Sequence, residues 1–246
     1  MLPPIDIGYI SGQLRELGEE IQRACDEAGE DLSPSPEVLL QGLDALLTVM
    51  AGCENSGDAA DPAGGTLAST TDALLDHGLQ LLGQLSELAT RLGLQTQASA
   101  IERLSLPLCC WSVRHGGELQ HPALVASATT TLVQQLASTE EWLELCRLIG
   151  EILDGSAIER LLDEDTPEVP RAWRTLLLDR ALTATRGRQP ELMETAYAAV
   201  SEYLPEDAPA FFRDIAWHLD SFTYPPEARA IIQRYAMDCG TDRCLH

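Results

Sequence analysis

The densest run of chemistry-bearing side chains is Cys239, Gly240, Thr241, Asp242, Arg243, Cys244, Leu245 and His246. Two thiolates and an imidazole are donors that Zn²⁺ accepts, so Cys239, Cys244 and His246 are the candidate metal ligands and zinc the candidate cofactor. A structural zinc site takes four donors and the spacing fits no standard knuckle. The competing expectation is therefore a loose tail over 239–246 that holds no metal.

Cys109 and Cys110 stand beside Trp111 in an apolar stretch, with His115 the only nearby imidazole that could activate a thiol. Adjacent residues point to different faces of a helix, so at least one of the pair is expected in the core, where free cysteine behaves as a small hydrophobe. Cys25 and Cys146 lie on apolar stripes and carry the same expectation. Glu118 and His121 form one Glu-x-x-His, half of a di-iron carboxylate motif, but no second copy exists and Pro122 interrupts a helix there. Asp163, Glu164, Asp165 and Glu168 offer oxygen ligands without the glycine and register of a calcium loop, and read as a solvated turn.

Arg171, Arg174, Arg180, Arg186 and Arg188 cluster in the C-terminal third. At 100° per residue four of them share a broad arc and Arg180 points away. Ordinary pairing with acids is one expectation, and a groove for an anion or acidic partner is the sharper one. There is no Gly-rich phosphate loop, nucleophile elbow, His-Glu-x-x-His or basic aromatic stripe. No catalytic residue and no organic cofactor is assigned, and the balance leans away from an enzyme, with a pocket between helices as the residual route to one.

All 16 basic residues are Arg. A chain without Lys has no P-loop lysine, Schiff-base lysine or lysine general base. The net charge is −23, and residues 1–90 carry 16 acids against 2 Arg, whereas residues 171–246 carry 11 against 9. Such a field repels nucleic acid and anionic membrane and favours encounter with a basic protein; generic solubility would account for the same charge. The leading expectation is a non-catalytic interaction scaffold, adaptor or inhibitor binding a basic partner. A metal- or redox-linked protein using the C-terminal Cys/His cluster is the alternative.

The opening Met-Leu-Pro-Pro-Ile-Asp-Ile lacks a basic region leading into an apolar run, so no signal peptide is expected. No membrane span is expected either. Seven irregularly spaced cysteines do not form a disulfide framework, which points to a reducing cytoplasm.

The elements that must position these groups all read as helices, in a composition of 45% hydrophobic residues rich in Leu and Ala. Ile10, Leu14, Leu17, Ile21, Cys25 and Ala28 make one stripe, and Ser35-Pro36 opens a second helix burying Leu39, Leu43, Leu46, Leu47 and Met50. A third runs from about Ser69 to Leu92 on Leu74, Gly78, Leu81, Leu85, Leu88 and Leu92, with Gly93 as its cap and Gly78 marking a close crossing. Further helices are expected at Gln95–Leu104, from Pro107 through Val113 and from Pro122. Capping boxes at Ser138/Glu141 and Ser156/Glu159 mark two more, and helical patterns follow Pro170, Pro190, Pro209 and Pro226. Starts near 170 and 209, and near 190 and 226, are spaced like a two-helix repeat. The expected fold is all-α: stacked antiparallel helix pairs in a degenerate TPR- or HEAT-like array, or an irregular bundle. It is read as one domain over 1–246, with a mobile acidic loop at 52–65 and a possible subdivision into 1–162 and 170–238.

Overall fold

The computed structural model describes residues 2–29, 34–55, 65–158, 162 and 167–241, without the side chains of 54, 55, 65–69 and 239–241. Among the described residues every regular element is a helix, so the protein is all-α, a helical bundle or array. Contacts divide the chain into one unit of Met1–Leu132 with Asp154–Ala157, and a second of Val133–Leu153 with Ile158–His246.

In the first unit, α1 (Ile7–Ala28) starts earlier than its apolar stripe implies, because Asp6 caps it: the Tyr9 amide donates to Asp6 Oδ1 at 2.6 Å. Ile10, Leu14, Ile21 and Cys25 are buried as expected, whereas Ala28 is exposed. α2 (Pro36–Asn55) begins at the Ser35 cap, with the Val38 amide 3.4 Å from Ser35 Oγ, and all five expected residues from Leu39 to Met50 are buried. The Pro36–Cys53 segment is long and apolar enough to cross a membrane. It nevertheless carries Glu37 and Asp44 and turns Leu39, Leu43, Leu46 and Leu47 into this core.

α3 (Gly65–Arg91) packs against α2, α4 (Gln95–Arg103) and α5 (Ser105–Arg114). A helix with three neighbours buries more than one stripe, which is why Leu75, Leu79 and Leu82 join Leu81, Leu85 and Leu88 inside while Leu74 and Leu92 stay half-buried. A Cβ at Gly78 would lie 2.9 Å from Leu108 Cδ2 and 3.3 Å from Leu46 Cδ1, so the close crossing read from the sequence is present. One at Gly42 would lie 3.1 Å from Leu81; partners that fall from 81 to 78 as α2 rises from 42 to 46 make α2 and α3 antiparallel. Gly93, at φ 77°, ends α3, with the Leu94 amide reaching back to Ala89 O at 2.8 Å. Glu102 joins three helices, accepting from Ser86 of α3 and from Ser127 of α6 (Ala123–Gln135), each at 3.0 Å. α2 extends through Asn55 and α3 begins at Gly65, so the ends of the expected 52–65 loop are helical; residues 56–64 lie outside the described ones.

In the second unit, α7 (Thr139–Asp154) opens on the expected capping box. The Glu141 amide donates to Ser138 Oγ at 3.2 Å and the Ser138 amide to Glu141 Oε2 at 3.3 Å. The Glu159 half of the second box lies outside the described residues. α8 (Glu168–Gly187) runs antiparallel to α7: Gly150 sits under Arg180, Leu143 against Gly187 and Trp142 under Arg186. Short α9 (Pro190–Tyr203), α10 (Ala208–Trp217) and α11 (Pro226–Thr241) close a core around Met193, Tyr197, Val200, Phe212 and Ile232. Tyr197 meets the Phe212 and Tyr235 rings edge-on at 5.0 and 5.3 Å, and its hydroxyl shares a 2.7 Å hydrogen bond with Thr185. Fully burying one such Val, Ile or Phe side chain contributes about 1.5–3 kcal/mol.

Candidate functional site

Of the residues that the sequence groups for chemistry, the structure describes the Cys109–Cys110 pair with His115, Glu118 with His121, and the arginines. Cys239 lies in the backbone of α11, which continues to Thr241 where a loose tail was expected, but its side chain is not described, and Cys244 and His246 lie outside the described residues. Among the described residues no three His, Cys, Asp or Glu side chains come together as metal ligands. Cys109 and Cys110 are both fully buried, and burial, with Cys110 adjacent, pushes the Cys109 thiol well above its usual range, away from nucleophile chemistry. His115 instead stacks on Trp111 at 3.9 Å, with Nδ1 2.7 Å from the Trp111 carbonyl. Glu118 accepts from the Ala157 amide at 2.9 Å while His121 pairs with Asp76 at 3.1 Å, so the Glu-x-x-His does not converge.

Of the five arginines of α8 and its end, Arg171 is exposed and the other four divide by role. Arg180 is buried, its guanidinium lying over Gly150. Arg174 makes a bidentate pair with Asp207. Arg186 and Arg188 go elsewhere, into a concave site of the C-terminal unit.

The first site is a groove of about 550 Å³ between α1 and α2. Leu14, Leu40, Leu43 and Leu47 form its apolar floor, and Glu19, Glu37 and Asp44 stand among the polar groups around it, with Arg15 the one cation lining it among the described residues. Gly18 lets α1 approach there, since a Cβ on it would lie 2.6 Å from Leu40 Cδ1. The site's local origin is legible: apolar stripes at spacings of three and four leave acidic residues on the flanks of both helices.

The second site is a cavity of about 650 Å³ within the C-terminal unit, lined by the Leu136–Thr139 turn, α7, the end of α8, α10 and the segment 222–224. Trp142, Phe211, Phe222 and Tyr224 supply aromatic walls, and Arg186, Arg188, Asp214 and His218 supply charge or protons. The Arg186 guanidinium lies 4.6 Å over the Trp142 ring and donates from Nη1 to the Val133 carbonyl at 3.3 Å. Arg188 follows the last residue of α8 in the left-handed region, at φ 56°, where the described chain otherwise uses only glycine, and lies 5.7 Å over Tyr224. Burial raises the Tyr224 hydroxyl above its ordinary value, opposed first by Arg188 and then by Arg186. The sequence shows that these two arginines share an arc; it does not show that Trp142 and Tyr224, from distant segments, meet them.

No protein-family model matches the chain, and no curated protein or solved structure matches it either.

Proposed function

We propose that the protein is a non-catalytic interaction scaffold whose N-terminal unit takes a basic amphipathic segment of a protein partner in the α1–α2 groove. The observation that supports this reading is the combination of an apolar leucine floor with Glu19, Glu37 and Asp44 around it. An apolar face flanked by Lys or Arg is the complement of that pattern, and a helix lying in a groove is a common way to present one. The surrounding charge acts in the same direction, because residues 1–90 hold 16 acids against 2 Arg.

Magnitudes assign the roles. An exposed ion pair contributes about 0.2–1 kcal/mol, whereas a buried apolar anchor contributes about 1.5–3. The leucine floor therefore supplies most of the affinity, and the carboxylates supply encounter rate and choice of partner. A test uses a helical peptide with Leu at three- and four-residue spacing and Lys elsewhere, titrated by fluorescence anisotropy. Binding is expected to weaken steeply as salt rises and by about tenfold or more in Glu19→Arg/Asp44→Arg. Equal affinity of the variant and the wild type would remove the groove from the account.

A further inference from the structure

We infer that the cavity of the C-terminal unit binds a small organic anion with a planar apolar body, an aryl carboxylate or aryl phosphate. This site is independent of the α1–α2 groove and takes the opposite charge.

In a chain of net charge −23, two guanidinium groups without a carboxylate partner among the described residues meet in one cavity, and both act on the Tyr224 hydroxyl. Other arginines of this unit behave differently: Arg174, Arg229 and Arg234 each pair with an acid, Asp207, Asp220 and Glu194 respectively. Arg186 and Arg188 instead lie with their guanidinium carbons over the Trp142 and Tyr224 rings. A guanidinium has five N–H donors and a cation–π contact consumes none of them, and among the described residues Arg186 donates from Nη1 to the Val133 carbonyl, which leaves donors for a carboxylate or phosphate. The rigid rings lose little entropy on contact and offer flat surfaces to a planar ligand. A volume of about 650 Å³ lies inside the range of small-molecule sites and leaves room for a bicyclic ring.

Arg188 adds a second observation. A left-handed backbone is unfavourable for a side chain bearing a Cβ, and glycine is the usual residue at a helix end of this kind. The α8 terminus holds Arg188 there, with its amide bonded to Ala184 O at 3.0 Å, and so directs the guanidinium toward Tyr224. Asp214 is the opposing charge in the lining. It places the anionic end of the ligand at the arginines and the apolar body along Phe211 and Ile215. The negative field of the rest of the chain is screened beyond about 8 Å at physiological ionic strength, so the contact cations decide what binds.

The experiment is calorimetric titration of the full chain with 2-naphthoate, 2-naphthyl phosphate and the neutral 2-naphthalenemethanol. At least one anion is expected to bind about tenfold or more tightly than the alcohol, and the tighter of the two identifies the preferred head group. Arg188→Gly removes the guanidinium while giving the left-handed position the residue that suits it, so the fold is kept. That variant is expected to lose about tenfold in anion affinity and nothing for the alcohol, and Asp214→Asn is expected to bind the anion more tightly. Failure of both anions to bind at millimolar concentration would overturn the inference. So would equal binding of the alcohol, or unchanged anion affinity in Arg188→Gly.

Discussion

Cys109 shows how burial decides the use of a reactive residue type. Its thiol is fully buried and keeps its proton at pH values where an exposed cysteine ionises. Below about pH 8.5 the folded and unfolded chains both hold that proton, and stability does not depend on it. Above that, the unfolded chain ionises first, so stability falls as pH rises until the raised folded-state value is passed. Urea midpoints measured at pH 7 and at about pH 9.5 should therefore drop. Cys109→Ala should show a smaller drop, after an initial loss of about 1 kcal/mol for the vacated volume. Burial also raises the Cys146 thiol, so part of the alkaline loss remains in that variant. Leu108 precedes the Cys109–Cys110 pair and Trp111 follows it, and that apolar setting was enough to expect a core position for at least one of the two cysteines. That both are enclosed follows from α5 packing against α1, α3 and α4, which no local pattern encodes.

The helices themselves were largely legible, because their starts and faces depend on short-range chemistry. Ser35, Ser138 and Gly93 act as caps where the sequence places them. The start of α1 was placed too late because Asp6 precedes the stripe it caps, and α3 starts ahead of its expected Ser69. Which glycine matters within one helix is a tertiary question, and α3 poses it directly. Gly78 faces Leu108 and Leu46 at distances that a methyl group would violate, whereas nothing lies within 4 Å of a Cβ placed at Gly83. Gly→Ala in a helix gains up to about 1 kcal/mol from propensity, and overpacking a core costs about 1–3. Gly83→Ala should therefore stabilise by about 0.5–1 kcal/mol and Gly78→Ala should destabilise by about 1, as read from thermal or urea unfolding. Equal and positive effects would mean that α2, α3 and α5 do not approach as closely as described.

At the scale of the whole molecule, charge and concavity fall into two different pairings. The N-terminal unit joins an acidic surface to an apolar groove, and the C-terminal unit joins two arginines to an aromatic cavity. Net charge along the chain made the acidic half of the first pairing legible, since it needs only a count of acids, whereas the groove forms only once α1 and α2 are packed. The second was not, because Trp142, Arg188, Phe211 and Tyr224 come from four segments and meet only when α7, α8 and α10 are packed. The arginine arc gave the anion-groove expectation without its aromatic walls. The proposed scaffold function rests on the first pairing, and the most direct measurement captures partners on the immobilised full chain from native lysate at low and high salt. Wild type and Glu19→Arg/Asp44→Arg are run side by side, with mass spectrometry of what is retained. The account predicts one stoichiometric basic protein that is held at low salt, released at high salt and absent from the variant. A partner retained equally by both chains at both salt concentrations would contradict it.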